Sequence, residues 1–118
     1  MNLQIKGTKY RPTPDIVAQA ERQAAPLAKL VSDTGTAKAA LELERAVGGQ
    51  KKGDIWRAEL TVTVGKKRFR AESLKAKLDP AVTTVMRDVA QELRRAKAKA
   101  AASVKKGGVK GKASLRAA

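Results

Sequence analysis

With 118 residues, 26 of them Lys or Arg against 11 Asp or Glu, the chain has the size of one domain and a net charge of +15. It contains no cysteine and no histidine, which excludes disulfides, thiolate and imidazole metal sites and the commonest general base, so neither a metal, a cofactor nor an enzymatic activity is expected. The charge favours nucleic acid or an anionic surface over a small-molecule substrate, and nine basic residues with no acidic one fall between Arg94 and Ala118.

At the N-terminus Leu3, Ile5 and Gly7 alternate with Asn2, Gln4 and Lys6, which predicts a short first strand. Thr13-Pro14-Asp15 then announces a helix, because threonine caps and proline suits the first helical position, where no N–H is needed. Ile16, Ala20, Ala24, Leu27 and Val31 recur at helical spacing and form an apolar stripe to pack on a sheet. Pro26 removes a helical hydrogen bond at a cost of about 3 kcal/mol, so a kink or break is expected there.

After a loop at Ser32 to Thr36, the stretch from Ala39 to Ser73 reads as three strands joined by two glycine-marked turns, GGQKKGD and the Gly65 turn. In the middle strand Trp56, Ala58, Leu60, Val62 and Val64 alternate with Ile55, Arg57, Glu59, Thr61 and Thr63, one set for the core and one for the surface. Trp56 is in phase with the core set and is assigned to it rather than to base stacking. Glu42 and Glu44 share one strand face and form a solvated or salt-bridged pair rather than an acid/base couple.

Asp79-Pro80 repeats the cap-then-proline signal and opens a second helix with Val82, Val85, Met86, Val89 and Leu93 on its apolar side. That helix should continue through AKAKAAA and fray before Gly107-Gly108. The element order is β-α-β-β-β-α, an α+β domain over residues 1–100 with a four-stranded sheet and two helices on one face. Residues 101–118 form a basic tail too poor in apolar surface to order itself, either a solubilising tail or a phosphate-seeking arm. No stretch approaches a signal peptide or a membrane span, which points to a cytoplasmic protein without membrane partners.

Two motif matches fail. Gly48 and Gly53 have the spacing of a phosphate-binding loop, but Asp54-Ile55 stand where lysine and a hydroxyl residue belong, and Lys106 replaces the first glycine before Gly111-Lys112. What remains is cations at element ends. Lys51 and Lys52 sit in one turn, Lys66 and Lys67 at the other, Arg57, Arg68 and Arg70 on the strands, and Lys29, Arg87, Arg94, Arg95, Lys97 and Lys99 on the helices. A fixed array of this kind fits phosphates along a backbone, while solvated turns are themselves rich in lysine, and the hairpins alone allow both readings. With three aromatic residues in all, recognition through phosphates and the shape of structured RNA is favoured over base stacking.

These stretches resemble a known family, the ribosome hibernation-promoting factors, also called ribosome-associated inhibitor A or sigma-54 modulation proteins. LQIKGTKY is similar to that family's first strand, Thr13-Pro14 and Leu27-Ala28-Lys29-Leu30 to the ends of its first helix, and GGQKKGDIWRAELTVTV with RFRAES to its most recognisable part. The chain departs from the pattern at Lys77 to Thr83, where the family often has an Asp-Leu-Tyr run, and at Gln91, where it has arginine, while Arg95 is kept. The resemblance covers residues 2 to 99 and corresponds to the short form of the family. It implies a domain laid out like a double-stranded-RNA-binding domain that binds ribosomal RNA of the small subunit, and off the ribosome the chain is expected to be a monomer. On that subunit it occupies the A and P sites, competes with messenger and transfer RNA, and silences idle ribosomes. A constitutive ribosomal or nucleoid-type protein, and a protein-interaction module, are the alternatives that composition leaves open.

Overall fold

The structure, a computed structural model, describes the backbone of residues 1–31, 37–47 and 54–110 and, within those spans, the side chains of 1–31, 37–46 and 55–99. The order is β1 (Asn2–Thr8), α1 (Pro14–Ala28), β2 (Lys38–Val47), β3 (Asp54–Val64), β4 (Lys67–Lys75) and α2 (Leu78–Lys110). The strands form one sheet in the order β1-β2-β3-β4; β1 runs parallel to β2, and the other two pairs are antiparallel. The single parallel pair follows from α1, since only a crossover can return the chain to the same end of the sheet. Both helices cover one face.

The alternation predicted for β3 holds, with Ala58, Leu60 and Val62 fully buried. They meet Leu41 and Leu43 of β2 and the stripe Val82, Val85, Met86, Val89 and Leu93 of α2, all inside one apolar cluster. α1 contributes Ile16, Ala20, Ala24 and Leu27, which are the spacings read from sequence. The small alanines let α1 sit close, and two glutamines bolt it to α2: Gln19 Nε2 donates to the Asp79 carbonyl at 3.1 Å and Gln23 Nε2 to Thr83 Oγ1 at 2.9 Å.

The helix starts are built from the expected chemistry. Thr13 Oγ1 accepts the Ile16 N–H at 3.3 Å, with Pro14 at the first helical position. α2 starts at Leu78, one residue before the expected cap, so that Asp79 and Pro80 both lie in its first turn. Proline is harmless there, because the first four N–H groups of a helix have no internal partner.

At Pro26 the expected break becomes a helix end. α1 runs through the proline and stops at Ala28, after which the Lys29 N–H reaches back to the Pro26 carbonyl at 3.2 Å and the Leu30 N–H to Leu27 at 3.0 Å. These are the tighter turns that usually close a helix. A second difference lies at the other terminus, where α2 continues past Gly107-Gly108 to Lys110 instead of fraying before them. Extending an existing helix needs no new nucleus, and the alanines and lysines from Ala96 to Lys106 are good helix formers that lead into the glycines. Thus residues 101–110 of the expected tail belong to α2, and 111–118 lie outside the described residues.

One glycine has a steric reason. A Cβ on Gly7 would stand 2.0 Å from the Tyr10 carbonyl oxygen, because the chain folds back on β1 through Lys9 at φ 56°. That fold-back sets Tyr10 edge-on to Trp56, with ring centroids 4.9 Å apart and an interplanar angle of 78°. Trp56 is partly buried against the core, in line with its phase on β3. The β3–β4 turn needs a different property, since Gly65 sits at φ +60° with open space around it. Gly65→Ala is therefore expected to cost about 1 kcal/mol in a chemical-denaturation midpoint without touching the core.

Candidate nucleic-acid interface

Register decides what the exposed sheet face carries. Its rows run across β2, β3 and β4: Lys38, Thr63 and Arg68 form one, Ala40, Thr61 and Arg70 the next, then Glu42, Glu59 and Glu72, then Glu44, Arg57 and Leu74. Three glutamates in one row would repel, and two arginines from the flanking rows resolve this.

Arg57 is the centre of the arrangement. Its Nε donates to Glu72 Oε2 at 2.6 Å and its Nη1 to Glu42 Oε1 at 3.3 Å, while Glu44 and Glu59 lie at 3.5 Å and 3.4 Å. The hydrogen bond to Glu72 is the largest cause holding the guanidinium pKa above its ordinary value; burial opposes it, and Glu42 and Glu59 reinforce it. Arg70 donates through Nε to Glu59 Oε2 at 2.6 Å and pairs with it through Nη2 as well. The pairing of Glu42 and Glu44 is thus a shared bond to Arg57. The Arg57 guanidinium, with 21% of the side chain exposed, faces four carboxylates of its own chain. Its work is to hold β2, β3 and β4 together.

Arg70 keeps 64% of its side chain exposed. Lys66 and Lys67 flank the Gly65 turn, both exposed, and Arg68 follows on the open face. Lys38, which the spacing analysis passed over, joins them because it opens β2 opposite Thr63, whose other neighbour is Arg68. Only the pairing register brings these two cations to one end of the sheet.

The helices add to the same end. Lys29 is exposed at the close of α1, and Leu30 and Val31 beside it share a cleft with Lys67 of the hairpin and Lys97 of α2. Arg94, Arg95, Lys97 and Lys99 are exposed on α2 just where it passes this end. α2 packs on the sheet as far as Leu93, and with 33 residues it is about 50 Å long, so it runs well past the hairpin. Arg87 lies a turn or two earlier on the outer stripe, 66% exposed and loosely beside Asp88 at 3.8 Å. Lys51 and Lys52 lie outside the described residues.

The arrangement is therefore asymmetric. A balanced patch of carboxylates and arginines fills the middle of the open face, and cations with few carboxylate partners gather round the β3–β4 hairpin and the α2 segment beside it. Among the described residues, no group of three or more His, Cys, Asp or Glu is placed to hold a metal ion, and no helix is long and apolar enough to cross a membrane. The chemistry that this end offers is attraction of polyanions.

The architecture is that of a small α+β domain class with a mixed four-stranded sheet backed by two helices. Among solved structures of this class, the crystal structure of the Protein Y N-terminal domain from Thermus thermophilus is similar, with a TM-score of 0.67 and 24% identity over 80% of this chain and 98% of that one. A ribosomal subunit interface protein from Coxiella burnetii is similar with a TM-score of 0.65 and 13% identity, over 83% of this chain and 99% of that one. No family model and no curated protein matches the sequence. At these identities the shared property is the fold, and it is the fold that the sequence resemblance implied.

Proposed function

We propose that this chain is a ribosome-binding translation inhibitor of the hibernation-promoting class. In this reading it lodges in the small ribosomal subunit, occupies the messenger and transfer RNA path at the A and P sites, and silences or protects idle ribosomes in the cytoplasm. It is a monomer off the ribosome, binds through ribosomal RNA, and acts by occlusion without chemistry. The observation that carries the reading is a coincidence of two features. The fold matches almost the full length of two solved domains, one of them named for the ribosomal subunit interface. At one end of that fold the described cations Lys29, Lys38, Lys66, Lys67, Arg68, Arg94, Arg95, Lys97 and Lys99 converge. Charges fixed on strands and a helix lose little entropy on meeting a folded RNA backbone.

Co-sedimentation with purified small subunits across a salt series tests this. Saturable binding is expected, lost when messenger and initiator transfer RNA are bound first. Equal binding to naked duplex DNA, indifferent to transfer RNA, would leave a generic polyanion binder and reject the proposal.

A further inference from the structure

The end of α1, the β3–β4 hairpin and α2 enclose a cleft of about 170 Å³ that the phosphate-binding role does not use. Its walls are apolar: Leu30 and Val31 on one side, Val64 and Phe69 on the second, Leu93 and Ala96 on the third. Among the described residues, two lysines, Lys67 and Lys97, complete the lining, and no carboxylate takes part. Phe69, the chain's one phenylalanine, is partly buried against the core and borders this space.

An apolar slot beside an aromatic ring, with two ammonium groups in its lining, selects a ligand with a flat or apolar body joined directly to an anion. The volume is below the roughly 300 Å³ at which pockets begin to enclose drug-sized molecules, so a single ring system enters and its anionic part stays outside. The surroundings choose among such ligands. Lys66 and Arg94, each next in sequence to a lining residue, are exposed and continue the positive field beyond one anion, which suits a ring carried on a chain of phosphates.

We propose that this cleft takes one unpaired nucleobase, stacked beside Phe69, with its phosphate held by Lys67 and Lys97. This deepens the ribosomal RNA reading and rests on it, adding one base-inserting contact to an otherwise backbone-directed interface. Stacking of a base on an aromatic side chain contributes roughly tenfold to a hundredfold in affinity, enough to fix the register of the protein on its RNA.

The test uses the whole protein, with methyl and aromatic NMR signals followed during titration with AMP, ribose 5-phosphate or octanoate. AMP should shift the Val31, Val64, Leu93 and Phe69 signals, whereas ribose 5-phosphate should move lysine signals only. Ala96→Leu, which fills the slot and keeps both charges, should weaken AMP binding about tenfold or more. Lys67→Gln with Lys97→Gln should do the same with the slot left open, and an unchanged amide spectrum away from the cleft verifies that each variant is folded. Identical responses to AMP and ribose 5-phosphate, a response to octanoate alone, or undiminished AMP binding by folded Ala96→Leu would each overturn the proposal. Co-sedimentation keeps the two readings apart: small-subunit binding without an AMP response rejects the cleft alone, and an AMP response without subunit binding rejects the ribosomal reading alone.

Discussion

Arg57→Ala is expected to destabilise the fold by about 3 kcal/mol, a loss of roughly 15 °C in melting temperature for a domain of this size. The figure lies at the lower edge of the range for breaking a buried pair, because Arg57 is 21% exposed and its partners Glu42, Glu44, Glu59 and Glu72 are 34%, 29%, 15% and 47% exposed. Removing the guanidinium leaves four carboxylates around an empty place. Two origins of the loss can be separated. Arg57→Met keeps most of the packing and none of the charge, so a variant as unstable as alanine assigns the effect to repulsion among the glutamates. Repulsion is screened by salt, so the deficit should shrink between low salt and about 1 M, where the screening length falls to about 3 Å. A deficit indifferent to salt and repaired by methionine would show instead that the aliphatic stem of Arg57 carries the effect. Arg57→Lys should fall between the wild type and Arg57→Ala, since one ammonium keeps the charge but cannot reproduce the fork that reaches Glu72 through Nε and Glu42 through Nη1.

Neutralising the hairpin is expected to have the largest effect on binding. The triple change Lys66→Ala, Lys67→Ala and Arg68→Ala removes three exposed cations from one turn and leaves the core unaltered, since none of them is buried. If each meets a phosphate, the slope of log affinity against log salt falls by about 0.7 to 0.9 per residue, a little over two in total, and affinity for the small subunit falls on the order of a hundredfold near physiological salt. The measurement is the same salt-series co-sedimentation, with the melting curve as control. A control triple, Arg11→Ala, Arg22→Ala and Lys77→Ala, removes equal formal charge from exposed positions away from the hairpin end. Losses of equal size from both triples would mean that net charge, and not its placement, governs binding.

These two expectations concern arginines and lysines that look alike in sequence, and the difference between them is a matter of register. Arg57 and Arg68 both lie on strands, both point to the open face, and both follow the same alternation. On β3 the Arg57 position is flanked by Glu44 and lies one row from Glu42, Glu59 and Glu72, whereas Arg68 neighbours only Thr63. Nothing local to either residue records that. The same holds for Lys38, whose partnership with Arg68 runs through a residue of a third strand.

What the chain determined by itself is what depends on near neighbours. The Thr13 cap, the proline at the first turn of α1, the apolar stripes of both helices and the inward set on β3 rest on spacings of two to four residues, and each is where the sequence places it. The two helix ends that differ, at Pro26 and beyond Gly107, are balances between a local penalty and the gain of continuing a helix, and the latter depends on what the helix is attached to. The mixed sheet order, the cage around Arg57, the gathering of cations at the hairpin end and the cleft between Phe69 and Ala96 were decided by tertiary structure alone. Each requires residues far apart in the chain to meet, as Leu30 and Lys97 do in the cleft, and at such separations it is the burial of Leu41, Leu60, Val85 and their neighbours in one core that selects the pairing.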